Sequence, residues 1–284
     1  MSGIIWLASY PKSGNTWMRA FIATYLEDPD RPLRINDLPR YALGDSQVEH
    51  FERLSGKALA EMSRKEVNWL RGRVQEWFVN TRPEDVFVKT HNIIAKAGQM
   101  PLISPSVTAG AIYIVRNPLD VAISLAHHFQ IPLDRAIEIL CDRASVLPAS
   151  ETTVEQYVAS WSRNARSWLN AQGLVLHVTR YEDMRRKPFK AFGAVVKFLD
   201  LPLLGQAYPV GDHGFLFKQF SVGANLGIVL DDIGVFAALY LEKVLSIRCL
   251  RQNKRRKKDQ REHHQNNESA HYTFLVNTPD SSHL

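Results

Sequence analysis

Apolar residues gather in four short runs along the 284-residue chain, and each run ends in a cluster of polar or charged residues. The first covers residues 3–9 (Ile4, Ile5, Trp6, Leu7, Ala8) and stops at Tyr10-Pro11. The second covers 85–90 and leads into Lys89-Thr90-His91. The third, at 110–116, ends at Arg116 and turns at Asn117-Pro118; the fourth, at 173–179, ends at Arg180-Tyr181. Runs of this length bounded by turn residues predict buried strands. The intervening sequence has helical spacing, clearest at Trp17, Met18, Phe21, Ile22, Tyr25 and Leu26. Pro118 suits the first turn of a following helix, where its missing N–H costs least. Strands alternating with helices predict an α/β fold: a single-domain parallel sheet flanked by helices. In such sheets ligands bind beyond the carboxyl ends of the strands, where all four polar clusters fall.

The loop after the first run carries one lysine and one glycine, Lys12-Ser13-Gly14, just before the helical pattern starts. Strand, tight loop and helix N-terminus form an anion site, because the first helical N–H groups lack internal acceptors and sit at the positive end of the dipole. Gly14 permits close backbone approach, Ser13 and Thr16 add hydroxyl donors, and Lys12 adds a point charge. The order is not that of the nucleotide P-loop, G-x-x-x-x-G-K-[ST], since the lysine precedes the glycine. A plainer reading is a helix starting after a Ser-Gly-Asn-Thr turn with a solvated lysine beside it.

Taken together the segments resemble the PAPS-dependent sulfotransferases, in particular the soluble bacterial enzymes that tailor small molecules and glycopeptides. Residues 10–17 resemble that family's 5′-phosphosulfate loop, and Lys89-Thr90-His91 its strand with the catalytic base. Arg116-Asn117-Pro118 with Ser124 resembles its 3′-phosphate motif, and residues 180–184 a weaker fourth element. The likeness runs from about residue 3 to about residue 201. It implies a P-loop NTPase-like sulfotransferase fold, PAPS as co-substrate, PAP as product and no metal. It also implies catalytic roles for Lys12, His91 and Lys89, and cofactor contacts from Lys12, Ser13, Gly14, Asn15, Thr16, Trp17, Arg116, Ser124 and Tyr181. Trp17 would stack on adenine and Tyr181 would bond near the base. From the residues alone, a tryptophan placed like Trp17 at the start of an amphipathic helix is more often core than a stacking platform, His91 suits a satisfied strand-end histidine, and Tyr181-Glu182-Asp183 a helix cap.

Charge and composition narrow the function. The chain has 35 Lys/Arg against 29 Asp/Glu; residues 248–264 hold eight and two of these, leaving 27 of each sign elsewhere. A neutral body creates no global field for nucleic acid, so no nucleic-acid partner is expected. No apolar run in the chain approaches the roughly 18 residues a membrane span needs, the best candidate being residues 233–241, and no basic leader precedes the first strand. Two cysteines, Cys141 and Cys249, make no disulfide framework, and a reducing cytoplasm is the expected location.

The resemblance fails after residue 201. The family places a Gly-Asp-Trp element over the 3′-phosphate near its C-terminus, whereas the last tryptophan here is Trp168. Residues 1–201 are therefore read as the PAPS-binding core, 202–247 as an atypical continuation and 248–284 as a basic, polar tail expected to be disordered. A frameshift in the source gene would produce such a change. Three functions compete: a sulfotransferase acting on a hydroxyl of a small or medium-sized acceptor, glycopeptides included; a catalytically impaired PAPS- or PAP-binding protein without the lid; and a P-loop kinase. The last lacks both its glycine-lysine signature and a clear strand-end aspartate for magnesium. The acceptor pocket is expected among residues 41–80, with Phe51, Trp69, Trp77 and Phe78, and among residues 127–139; these aromatics suit core and pocket equally.

Overall fold

The computed structural model describes residues 2–27 and 35–201. Five parallel strands form its central sheet: β1 (Ile4–Ser9), β2 (Ala42–Gly44), β3 (Val86–Thr90), β4 (Thr108–Val115) and β5 (Leu176–Arg180), in the spatial order β2-β3-β1-β4-β5. The helices are α1 (Asn15–Glu27), α2 (Val48–Ser55), α3 (Arg64–Asn80), α4 (Pro118–Phe129), α5 (Leu133–Cys141), α6 (Trp161–Leu169), α7 (Tyr181–Arg186) and α8 (Pro188–Phe198). The predicted fold class holds, and each of the four apolar runs supplies a strand. The fifth strand, β2, has only three residues and leaves no periodic signal.

Side chains alternate across the sheet with the period of two that strand geometry imposes. Ile4, Trp6, Ala8, Val86, Val88, Ala111 and Tyr113 face a core shared with α2, α3 and α6. Leu7, Ile112 and Ile114 face the other way, against Met18, Phe21 and Ile22 of α1 and Phe192, Val195 and Val196 of α8. Burial on both faces explains why the central strands read as continuous apolar runs. Because every sheet strand runs the same way, Ser9, Thr90, Val115 and Arg180 all end at one edge. The polar clusters therefore converge there.

Among the described residues no helix is long and apolar enough to cross a membrane, and no group of three or more His, Cys, Asp or Glu could hold a metal ion. The atypical continuation (202–247), the basic tail (248–284) and Cys249 lie outside the described residues.

Candidate active site

The loop leaving β1 turns sharply because two of its residues have positive φ: Lys12 at 66° and Gly14 at 100°. The Met18 N–H then bonds the Gly14 carbonyl at 3.1 Å, closing the first turn of α1. The N–H groups ahead of Met18 have no acceptor within the helix. Asn15 fastens this start to the strand: its Nδ2 donates to the Leu7 carbonyl at 2.7 Å and to Ser9 Oγ at 3.3 Å. That side chain is thus used internally, and what Asn15 can offer an anion is its backbone N–H. Thr16 is exposed, whereas Ser13 Oγ is buried without a hydrogen-bond partner. Burial and the nearby Arg116 guanidinium lower the Lys12 pKa from its ordinary value.

Arg116 follows β4 directly. Its Nη1 donates to the Lys12 carbonyl at 2.7 Å, its guanidinium lies 4.3 Å from the centre of the Tyr181 ring, and its Nε is buried without a partner. Asn117 caps α4 by accepting the Leu119 N–H, with Pro118 beginning the helix as its sequence position predicts. Ser124 lies farther along α4 and is partly exposed. The Lys12 charge reaches His128 near the end of the same helix, contributing after burial to its lowered pKa. Ser124 sits one turn before His128 on the same helix face.

Tyr181 opens α7, with Glu182 and Asp183 in the first turn. Its ring meets Trp17 edge-on at 6.0 Å between centroids, and Trp17 meets Phe192 likewise at 5.6 Å. Trp17 is only partly buried and its Nε1 has no hydrogen-bond partner. The structure therefore seats Trp17 between the core and the loop.

His91 stands one residue past β3, beside the end of β1. Its Nδ1 lies 2.8 Å from the Ser9 carbonyl, and because a carbonyl oxygen only accepts, Nδ1 carries the hydrogen. In the neutral ring Nε2 then keeps its lone pair and can take a proton. Burial, followed by the neighbouring Lys89 charge, holds the His91 pKa well below the usual histidine value; Arg19 and Lys12 push the same way, while the bond to Ser9 opposes them. Lys89, two residues earlier on the strand, is close enough for its charge to act on His91. Its own pKa is lowered by burial and by Arg19, against the pull of Asp45.

Several residues outside the sequence motifs complete the site. Arg19 reaches from α1 to the Ala42 carbonyl at 3.3 Å, with Nε buried and unpartnered, and adds a third cation near His91. Asp45 follows β2, so an aspartate does stand at a strand end. Its carboxylate is taken up by Thr90 Oγ1 (2.6 Å), Asn92 Nδ2 (2.8 Å) and Ser46 Oγ (2.8 Å). Asn164 of α6 donates to the His91 carbonyl at 3.1 Å, and Trp168 Nε1 donates to that of Asn92 at 3.1 Å. His91 is thus held through both its ring and its backbone carbonyl. Of the aromatics expected in an acceptor pocket, Phe51 and Phe78 are fully buried core, whereas Trp69 is exposed.

Several solved structures are similar to this chain. Mouse sulfotransferase SULT7A1 complexed with PAP is 19% identical, over 78% of this chain and 65% of its own, with a TM-score of 0.47. Retinol dehydratase in complex with androsterone and inactive cofactor PAP is 17% identical, over 70% of this chain and 60% of its own, with a TM-score of 0.44. The sulfotransferase domain from the curacin biosynthetic pathway is 17% identical, over 71% and 75% respectively, with a TM-score of 0.34. The chain thus spans less than two thirds of the length of the first two. The family model for the sulfotransferase domain matches residues 3–212, taking in the lysine–glycine loop, His91, Arg116 and Tyr181. With a match over most of its length, this chain belongs to the sulfotransferase domain family.

Proposed function

We propose that the protein transfers a sulfuryl group from PAPS to a hydroxyl of a small or medium-sized acceptor. The observation that carries this reading is the hydrogen bond of His91: Nδ1 is committed to the Ser9 carbonyl, which leaves Nε2 free to accept a proton. The chain also fits the co-substrate. Ser13 Oγ, Trp17 Nε1 and Arg116 Nε are buried polar groups around the loop without partners, a set suited to a ligand with several anionic oxygens. On this reading the backbone of residues 13–16 and Thr16 hold the 5′-phosphate, Arg116 and Ser124 the 3′-phosphate, and Trp17 and Tyr181 the base. PAPS, when bound, supplies the activated sulfuryl group. Lys12, Lys89 and Arg19 stabilise negative charge, and His91 accepts the acceptor's proton at Nε2.

The sequence past the family match, which ends at residue 212, contains no tryptophan and so no Gly-Asp-Trp element, and this favours a second reading, in which the protein binds PAP without turnover. Both readings carry the cytoplasmic location inferred from the sequence. The deciding experiment incubates labelled PAPS with phenols, sugars and glycopeptides in the presence of a chelator. Labelled product that disappears in His91→Ala supports the transferase. Tight PAP binding with no product on any acceptor supports the second reading, whereas magnesium-dependent transfer of labelled γ-phosphate from ATP in a parallel incubation without chelator, with none of the PAPS label moved, would return the kinase.

A further inference from the structure

Arg116, Lys12, Gly14 and Tyr181 form a closed ring of contacts. The Arg116 Nη1 bond to the Lys12 carbonyl fixes one end of the loop. The other end, Gly14, lies so close to Tyr181 that a Cβ there would fall 2.6 Å from Tyr181 Cδ2. The same ring lies under the Arg116 guanidinium at 4.3 Å, within cation–π range. Tyr181 is itself anchored, because Glu182 accepts the Asn117 N–H at 2.8 Å and so ties α7 to the turn that carries Arg116. Lys12 needs such support: a left-handed φ on a residue with a Cβ is strained and persists only where the surroundings impose it.

We infer that Tyr181 is a positioning residue that couples two phosphate subsites, holding Arg116 against the Lys12 carbonyl while its ring walls the loop at Gly14. This rests on the PAPS reading proposed above. An anion that fixes the Arg116 guanidinium also fixes the carbonyl it holds, so the loop is already ordered when the second phosphate arrives. Binding at one subsite then lowers the ordering cost at the other.

The test is a four-ligand cycle by displacement calorimetry with PAP, adenosine 5′-phosphate, adenosine 3′-phosphate and adenosine. The product of the two monophosphate Kd values, divided by the product of those of PAP and adenosine, gives the coupling factor. In the unaltered protein it should be about tenfold, within the usual span of coupling between sites. Tyr181→Phe keeps the ring and should keep the factor. Tyr181→Leu should bring it near one, and so should Arg116→Lys, which retains the charge but not the planar fork; either variant suffices should the other fail to fold. A merely structural role for Tyr181 would weaken all four ligands alike and leave the factor unchanged, overturning the inference. So would a factor near one in the unaltered protein. Failure of PAP to bind the unaltered protein at all would instead overturn the PAPS reading, and the coupling with it.

Discussion

Lys12 and His91 divide the proposed chemistry between charge and proton transfer. The Lys12 ammonium is placed to meet charge on the transferring group, which PAP lacks. Lys12→Ala should therefore lower kcat by roughly 10²–10³-fold while PAP affinity, read by calorimetry, changes far less. A parallel collapse of PAP binding would assign Lys12 to the phosphate instead. His91→Ala should cost roughly 10²–10⁴-fold in kcat, with PAPS affinity retained. The pH profile supplies a sharper test. His91 must be neutral to act, and burial together with Lys89 lowers its pKa, so the acid limb of kcat/KM should lie below pH 6.5. Lys89→Met removes a repelling charge, raises the His91 pKa and should move that limb to higher pH; Arg19→Met should act the same way, less strongly. A limb that stayed in place would detach both cations from the base. Stability follows the same sign. The unfolded histidine takes a proton near pH 6.5 and the buried one resists it, so His91 should weaken the fold as pH falls below that value.

At the level of elements, the junction of β1 and α1 is built from one glycine and one amide. Gly14→Ala meets both the positive φ of 100° and the Tyr181 ring. It should cost about 1–3 kcal/mol of stability, read by denaturant unfolding, and weaken PAP binding as well. Asn15→Ala removes the tie from α1 to the Leu7 carbonyl and should cost about 1–2 kcal/mol. A neutral Asn15→Ala would mean that the backbone holds the loop unaided. This junction was legible in the sequence because an apolar run, a loop and a helical period follow one another without interruption. The ends of β3 and β4 were legible for the same reason. The three-residue β2 was not, and with it went Asp45. Arg19 looks like any polar position on an amphipathic helix; only the fold brings it to Lys89 and His91. The Asn92 and Asn164 bonds that brace the base span 47 and 73 residues. Single polar residues with partners so distant leave no period to read.

For the whole molecule, the boundary near residue 201 is the open proposal. The family match continues to residue 212. If the basic run lies outside the family's sequence, deleting residues 251–284 should leave both Tm and PAP affinity unchanged. A large loss of PAP affinity on truncation would show that the cluster Lys254, Arg255, Arg256, Lys257 and Lys258 serves as the cover that the family builds otherwise. The sheet order carries one more consequence, for how the site comes into being. β1 sits at the centre, paired with β3 from Val86 onward and with β4 from Thr108 onward, and Lys12 meets Arg116 across 104 residues. β1 leaves the ribosome before either neighbour, and at the usual pace of synthesis the wait for β3 is about 4–15 s. During that interval a strand apolar on both faces has nothing to pair with. The segment that carries the proposed chemistry is therefore the one a nascent chain must shield longest from premature association.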